Sequence, residues 1–315
     1  MTAYAIEAKG LVKRFGDLTA VSGIDLAVPE GAIFALLGPN GAGKTTTIGI
    51  LTTLTPPTAG EARVAGFDVV RAADQVRQRI GVTFQEIVLD QDLTGREVLD
   101  IHGRLYRLPG ELRRRRIAEL VELVQLEEAI DRRTRTYSGG MKRRLELARG
   151  LMTDPAVLFL DEPTQGLDPQ NRAGVWSYIR ELNRSRGLTL LLTTHYMDEA
   201  EALAGHVAII DKGRVVAEGE PERLVASMGA DVIRVRGRGE RGHFVTTVGR
   251  LPFVQRVDVE AHGELVMVYV DSGSRRLADV LGTASGNGFQ VEDVTVARPS
   301  LGDVFLHHTG RALRD

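Results

Sequence analysis

The feature that most constrains this chain is the glycine-rich stretch LLGPNGAGKTTT near its start. It contains the pattern G-x-x-x-x-G-K-T from Gly38 to Thr45, between the apolar run Ile33–Leu37 and the helix-patterned run Lys44–Leu54. Glycines allow the backbone to curl so that successive N–H groups point at one anion, and the helix dipole adds favourable potential there. The pattern therefore predicts a phosphate-binding loop between a buried strand and a helix.

The residues of this loop have separate predicted tasks. The Lys44 ammonium can reach the β- and γ-phosphates of a nucleoside triphosphate, and the Thr45 hydroxyl is offered to Mg²⁺. The surrounding backbone is expected to enclose the phosphates. The predicted ATP-binding residues of the loop are Gly38, Pro39, Asn40, Gly41, Ala42, Gly43, Lys44, Thr45 and Thr46.

A pair of carboxylates ends a second apolar run, VLFLDEP. Asp161 is placed to hold Mg²⁺, directly or through water, and Glu162 is free to act as the general base for an attacking water. Alone, an Asp-Glu pair after a strand is more often a simple turn. Together with the phosphate-binding loop, it predicts hydrolysis of a phosphoanhydride such as that of ATP.

Short apolar runs alternate with longer amphipathic stretches over the first two thirds of the chain, which predicts an α/β fold. Near-continuous apolar strands are typical of a sheet covered on both faces by helices. The predicted strands are Ile33–Leu37, Val157–Leu160, Leu188–Thr193 and Val207–Asp211. The predicted helices are Lys44–Leu54, Gly95–Tyr106, Glu111–Leu126, Met141–Thr153, Asn171–Arg186 and Met197–Leu203.

The stretch YSGGMK, with Ser138, Gly139 and Gly140 at its centre, resembles the LSGGQ signature of ABC-transporter ATPases. The other sequence motifs of that family also match, in the family's order, within residues 4–225. They are Phe15 at the adenine-stacking position, Gln85 of the Q-loop, Asp168 of the D-loop and the switch residue His195.

This resemblance implies a P-loop ABC-type domain over residues 1–228, with a helical subdomain at about residues 86–150. It implies that two copies enclose two ATP molecules head to tail, and that Ser138, Gly139 and Gly140 contact the nucleotide of the partner. Gln85 would join Thr45 and Asp161 at Mg²⁺, His195 would assist Glu162, and Asp168 would couple the subunits. Three departures from the family pattern are Tyr137 for Leu, Met141 for Gln and Gln165 for Ser.

The composition changes near Met228, and the remaining residues, 229–315, read as a second domain. The order strand, helix, strand, strand, helix, strand predicts a small α+β domain of the ferredoxin-like type. A last helix is predicted at Leu301–His308. The tail ARPSLGDVFLHHTGRALRD is similar to the end of ATPases of daunorubicin-resistance exporters, which pair with separate membrane subunits.

These features predict the ATPase subunit of an exporter of drugs, antibiotics or lipid-like compounds. It would form a homodimer on a separate ABC-2 type permease, at the cytoplasmic face of the cell membrane. No secretory signal or apolar run of membrane-spanning length is visible. The net charge of −2 favours no nucleic-acid partner, and the lack of cysteine excludes thiol catalysis and disulfides.

Two alternatives remain open at this stage. One is a soluble ABC ATPase of translation or DNA maintenance, although such proteins carry a second ATPase domain or a long coiled-coil insertion. The other is an ATP-gated scaffold without turnover, against which Glu162 and His195 argue. The arginine run Arg113–Arg116 is more consistent with a solvated helix face than with a binding site.

Overall fold

The computed structural model describes residues 3–260, 265–286 and 288–310. The chain divides into two compact units, Met1–Val215 and Val216–Asp315. The division lies inside a strand of the central sheet. The domain boundary predicted after residue 228 stays a prediction, and the last five residues of the quoted tail lie outside the described part.

The central sheet of the first unit has six strands in the order β10-β9-β3-β8-β7-β6. Its strands are β3 (Ile33–Leu37), β6 (Ile80–Thr83), β7 (Val157–Asp161), β8 (Thr189–Thr194), β9 (His206–Asp211) and β10 (Arg214–Gly219). The pairs β9-β3, β3-β8, β8-β7 and β7-β6 are all parallel. Because parallel strands end at the same edge, the residues that follow β3, β6, β7 and β8 come together there.

A second sheet in this unit is antiparallel, with the order β2-β1-β4-β5. Its strands are β1 (Tyr4–Phe15), β2 (Leu18–Pro29), β4 (Ala59–Val64) and β5 (Phe67–Asp68). Side chains of this sheet, such as Ile6 and Ile24, share one core with Phe34 and Phe159 of the central sheet. Ala42, from the loop after β3, belongs to the same core.

All six predicted helices of the first unit are present in the predicted order, most with different ends, and one further helix, Ala73–Arg79, was not predicted. The helices are α1 (Lys44–Leu51), α2 (Ala73–Arg79), α3 (Gly95–Leu105), α4 (Gly110–Leu123), α5 (Gly139–Leu151), α6 (Pro169–Arg186) and α7 (Met197–Leu203). Helix α1 ends before its predicted end at Leu54, because Thr53 has a left-handed backbone with φ of 66°. Helix α5 begins at Gly139, earlier than predicted, because Ser138 caps it.

The second unit contains a four-stranded antiparallel sheet in the order β12-β13-β11-β14. The elements are α8 (Pro221–Ala226), β11 (Asp231–Gly239), α9 (Arg241–Val248), β12 (Val254–Val259), β13 (Leu265–Val270), α10 (Gly273–Gly286), β14 (Phe289–Ala297) and α11 (Leu301–Thr309). From β11 to β14 this is the predicted βαββαβ order. Phe244 and Val280, from its two inserted helices, pack on Val268 of the sheet, which confirms the ferredoxin-like fold.

In the part of the chain that the structure describes, no helix combines the length and apolar character needed to cross a membrane.

Candidate active site

The loop after β3 can take its form only with glycine at two positions. A Cβ atom at Gly38 would lie 2.2 Å from the carbonyl oxygen of Ile210, and one at Gly43 would lie 2.4 Å from that of Ala20. Gly43 also has φ of 104° and precedes the first residue of α1. The backbone between these glycines is therefore held against its neighbours, in front of a helix N-terminus that favours an anion.

A cavity of about 410 Å³ opens above this loop, in the size range of small-molecule sites. It brings together most of the residues predicted to bind the nucleotide. Phe15, at its mouth, is 51% exposed, so it is a surface ring and not part of the core. The lining residues are Phe15, Leu18, Ala20, Pro39, Asn40, Gly41, Gly43, Lys44, Thr45, Thr46, Gln85 and Glu162.

Two predicted loop residues, Gly38 and Ala42, lie behind the cavity wall. Gly38 packs on β9, and Ala42 is 2% exposed and accepts a hydrogen bond from the Gly213 N–H at 2.9 Å. Their role is to hold the loop in place.

Lys44 is buried, and its ammonium is held by the loop. Its Nζ donates to the carbonyl oxygens of Gly38 at 2.7 Å and Pro39 at 3.2 Å. It also lies 3.2 Å from Oε1 of Glu162. The predicted phosphate-binding cation and the predicted general base are thus direct neighbours.

Asp161 and Thr45 form a cluster of oxygen atoms beside Lys44. The Thr45 hydroxyl donates to Asp161 Oδ1 at 3.2 Å, and the Thr193 hydroxyl donates to the same atom at 2.5 Å. A hydroxyl and a carboxylate are oxygen ligands of the kind that Mg²⁺ prefers, so this set fits the metal expected with ATP.

Gln85, the third predicted magnesium ligand, lines the same cavity but is turned to another partner. Its Nε2 donates to Oε1 of Gln165 at 2.6 Å. Gln165 is one of the departures from the family pattern, and its long side chain reaches an atom that a serine in its place is too short to reach.

Glu162 has an unusual backbone, with φ of 47°. Its N–H donates to the carbonyl oxygen of Thr193 at 3.2 Å and to the hydroxyl of Thr193 at 3.0 Å. On its other side, Oε2 lies 3.0 Å from Nδ1 of His195. These two atoms are in ion-pair range without the alignment of a hydrogen bond. The structure therefore brings the two predicted catalytic residues together.

The residues of the signature lie elsewhere, outside the wall of the cavity around Lys44. Ser138 Oγ accepts a hydrogen bond from the Met141 N–H at 3.3 Å and so caps α5. Gly140 packs against Asn171, where a Cβ would lie 2.5 Å from Oδ1. Asp168 caps α6 by accepting from the Asn171 N–H at 3.0 Å. The signature and the D-loop are thus in contact with each other within one chain.

Tyr137, another departure from the pattern, has a structural explanation. Its ring is 5% exposed, and its hydroxyl donates to the carbonyl oxygen of Ala129 at 2.7 Å. A Cβ at Gly95 would lie 2.5 Å from that hydroxyl, so the small residue there makes room for the tyrosine. Tyr137 therefore connects the start of α5 to the turn around Ala129.

The arginine run is only in part the solvated helix face that the sequence predicts: Arg114 and Arg115 are exposed, but Arg113 and Arg116 are largely buried in ion pairs. Arg113 pairs with Asp100, and Arg116 pairs with Asp154 at 2.6 Å.

Two residues of the site were missed at the sequence level. Thr193 lies opposite Asp161 in the parallel register of β7 and β8 and bonds both site carboxylate residues. Arg143 is 2% exposed and reaches the backbone of Glu162. The available signal was its position, three residues after Gly140 and four before Leu147, on the buried face of α5.

Comparison with known proteins agrees with this geometry. The ABC transporter family profile matches residues 21–165. The chain is 45% identical over 310 residues to the daunorubicin resistance ATP-binding protein DrrA3 of Streptomyces coeruleorubidus, covering 98% of this chain and 97% of the relative. It is 41% identical over 311 residues to the Nod factor export ATP-binding protein I of Ralstonia nicotianae, covering 98% and 95%.

Solved structures show the same fold for the first unit. The ADP conformation of MJ1267, an ATP-binding cassette of an ABC transporter, matches with a TM-score of 0.65 and 26% identity over 70% of this chain and 93% of that one. The dimeric cassette MJ0796, bound to ADP and Pi, matches with a TM-score of 0.61 and 27% identity over 68% and 98%. From its cavity, its signature and its full-length relatives, this chain belongs to the ATP-binding proteins of ABC transporters and is an ABC-type ATPase.

Proposed function

We propose that this chain powers an exporter of drugs, antibiotics or lipid-like compounds, as a homodimer bound to a separate ABC-2 type permease. The observation that carries the ATPase part is the cavity that Phe15, Lys44 and Glu162 line together. Asp161 contacts Thr45 at this cavity, and His195 contacts Glu162. The names of the daunorubicin-resistance and Nod-factor-export relatives support export.

The cavity has a polar and an aromatic end, as ATP requires. Phe15 offers an exposed ring for the adenine, and the Lys13 ammonium lies 5.0 Å from the centre of that ring. Lys44 and the loop receive the phosphates. Thr45, Asp161 and Gln85 would hold Mg²⁺, which supplies positive charge next to the phosphates.

Glu162 performs the proton transfer in this proposal. An attacking water forms a bond to the γ-phosphorus while its proton passes to the Glu162 carboxylate and the bond to the β-phosphate oxygen breaks. His195, 3.0 Å from the carboxylate, orients it and stabilises charge that develops near the γ-phosphate.

The position of the signature supports a dimer in which each nucleotide is shared. Ser138, Gly139 and Gly140 lie outside the cavity of their own chain, so they are free to meet the phosphates of a partner. The N-terminus of α5 and the Ser138 hydroxyl suit an anion there. The solved relative MJ0796 is itself a dimer that holds ADP and Pi.

An exposed apolar surface next to Gln85 is the proposed docking site of the permease. We call it the coupling surface. Its members are large apolar side chains from the segment after β6 and from α3: Phe84, Val88, Ile101, Leu105 and Tyr106. Val88 is 71% exposed and Leu105 is 74% exposed, which is unusual for side chains that lie so near each other. An apolar helix of a membrane subunit would cover them, and Gln85 is beside it to sense the nucleotide.

The experiment that tests this proposal follows the chain in its own cells. Val88→Glu and Leu105→Glu should move most of the chain from the membrane fraction to the supernatant and abolish resistance to the exported compound. Val70→Glu is the control, since Val70 is 56% exposed and lies outside the coupling surface. Melting temperatures report whether each variant is folded.

If the wild-type chain never sediments with membranes and crosslinks to no integral membrane protein, the alternative of an ABC ATPase without a transport partner is favoured. If both coupling-surface variants stay with the membrane, the permease docks elsewhere.

A further inference from the structure

Arg143 connects the signature helix to the catalytic edge of the sheet. It lies on α5, less than two turns after Ser138, and its side chain is buried, with 2% of the residue exposed. Its guanidinium donates to four backbone carbonyl oxygens on two segments. They are those of Pro163 at 2.5 Å, Glu162 at 2.6 Å, Phe84 at 2.7 Å and Asp161 at 3.2 Å.

This arrangement uses most of what an arginine can donate. Its five N–H groups form a planar fork, so one residue can bind several acceptors at fixed angles. Burial lowers the pKa of Arg143, while the charges of Glu146, Glu199 and Asp161 act in the opposite sense. A buried cation bound mainly to carbonyl oxygens is costly for stability alone. A role in the reaction explains better why it is there.

The acceptor with the greatest consequence is the carbonyl of Glu162. A residue other than glycine in the left-handed region costs about 1 kcal/mol or more and persists only where the surroundings hold it. Thr193 holds the N–H of Glu162, and Arg143 holds its carbonyl oxygen at 2.6 Å. Both ends of this strained residue are therefore clamped, and the clamp sets where its carboxylate points.

The second consequence concerns the segment before Gln85. Arg143 binds the carbonyl oxygen of Phe84, the residue immediately before Gln85. The same side chain therefore holds the backbone next to a predicted magnesium ligand and the backbone of the predicted base. Both contacts begin on the helix that carries Ser138 at its start.

We infer that Arg143 is a positioning residue for ATP hydrolysis, which aligns Glu162 and the Gln85 segment according to the position of the signature helix. The inference rests on the proposed function, in which Glu162 is the base and Ser138 meets the nucleotide of the partner. When Ser138 meets the nucleotide of the partner, α5 takes a fixed position. Arg143 then aligns Glu162 and the segment of Gln85 in its own chain. Each site is thereby made competent by engagement of the other.

The test uses the full chain and compares two neighbouring arginines. Arg143→Gln replaces the guanidinium with a shorter, neutral amide, and Arg143→Lys keeps the charge without the planar fork. Arg144→Gln is the matched control, because Arg144 also donates to backbone carbonyls, of Val124 and Gln125 at 3.1 Å each, but away from Glu162. ATPase rates give kcat and KM, a fluorescent ATP analogue reports binding to the monomer, and melting temperatures report folding.

We expect Arg143→Gln to lower kcat by roughly 100-fold, the scale of a misplaced catalytic group, with KM and analogue binding changed less than about twofold. The kcat of Arg143→Lys should fall between that of Arg143→Gln and that of the wild type. Arg144→Gln should keep kcat within about twofold. The double variant Glu162→Gln/Arg143→Gln should have a kcat little below that of Glu162→Gln alone, because both residues act on the same step.

Three results would overturn the inference. One is a kcat within about twofold of the wild type in Arg143→Gln, or in Arg143→Lys if the glutamine variant does not fold. Another is a parallel loss of kcat, analogue binding and melting temperature, which marks a structural role only. The third is full additivity with Glu162→Gln. If Glu162→Gln itself keeps full turnover, the proposed function fails at its base, whatever Arg143 does.

Discussion

The Lys44 ammonium and the Glu162 carboxylate lie 3.2 Å apart in a buried pair, with side chains 4% and 5% exposed. The carboxylate is also 3.0 Å from His195 Nδ1. The predicted base thus lies between Lys44, the predicted γ-phosphate ligand, and His195, the predicted switch histidine. In the proposed function an incoming γ-phosphate shares Lys44 with this carboxylate, so the charge of Glu162 should affect both nucleotide binding and turnover.

Glu162→Gln should stop hydrolysis and strengthen ATP binding. The amide cannot accept the proton of the attacking water, and it removes a negative charge next to the phosphates. We expect at least a 100-fold loss of kcat and an ATP-dependent dimer visible by size-exclusion chromatography. Glu61→Gln, at an exposed position on β4, should behave as wild type. A monomeric Glu162→Gln protein with normal turnover would refute the assignment of the base.

Lys44→Ala should weaken nucleotide binding itself. A buried charged donor to a phosphate is worth about 1.5–3 kcal/mol, which corresponds to a loss of about 10- to 150-fold in affinity. Binding of a fluorescent ATP analogue to the purified chain measures this directly. Lys9→Ala removes an exposed lysine on β1 and should leave the affinity unchanged. An affinity unchanged in Lys44→Ala would place the phosphates elsewhere.

Ser138 caps α5, and in the proposed function it also meets the nucleotide of the partner; a pair of variants can separate these two roles. Ser138→Ala removes both the cap of α5 and the hydroxyl, and loss of the cap costs about 1 kcal/mol of stability. Ser138→Gly removes the hydroxyl but preserves most of the capping. Both should lose hydrolysis while the monomer still binds the nucleotide, and only alanine should clearly lower the melting temperature. Hydrolysis by either variant at the wild-type rate would argue against the shared site.

The bond between Gln85 and Gln165 should compete with magnesium binding. Gln165→Ser breaks this 2.6 Å contact and frees Gln85 for the metal. A net hydrogen-bond value of about 0.5–1.5 kcal/mol predicts half-maximal ATPase activity at roughly two- to tenfold less Mg²⁺. Gln75→Ser, at an exposed position on α2, is the control. An unchanged magnesium requirement in Gln165→Ser would show that Gln85 is not tied back by this bond in solution.

His102 should make the first unit less stable in mild acid. Burial, with a smaller contribution from Arg149, lowers the pKa of His102 from 6.5 to about 4. The unfolded chain then binds the proton more tightly, so stability is complete above about pH 6.5 and falls as the pH drops towards 4. His102→Gln should reduce this loss, seen as a smaller fall of the melting temperature, and exposed His243→Gln should not. Identical pH profiles for His102→Gln and wild type would contradict the shift.

Much of the site could be predicted because its chemistry is encoded in short, contiguous patterns. In the loop from Gly38 to Thr45, a Cβ at Gly38 or Gly43 would clash with the backbone of Ile210 or Ala20. Glycine is therefore required at fixed positions, and this spacing can be recognised in the sequence without coordinates. The four predicted strands of the central sheet lie within one residue of their observed ends for a similar reason. A run that is apolar on both faces, such as Val157–Asp161, has to be buried in a parallel sheet. Helix ends were less readable, because they depend on single backbone angles such as that of Thr53.

The sequence alone thus determined the phosphate-binding loop, the carboxylate pair and the ferredoxin-like order of the second unit, since each is a local pattern with a local physical cause. The signature was recognised by its resemblance to a family motif. Only the tertiary structure decided which distant residues complete the site. Thr193 reaches Asp161 because β8 lies beside β7, and Arg143 reaches Phe84 and Glu162 because α5 packs across the strand ends. Such contacts form only between strands and helices that lie side by side, and long-range packing decides which ones do.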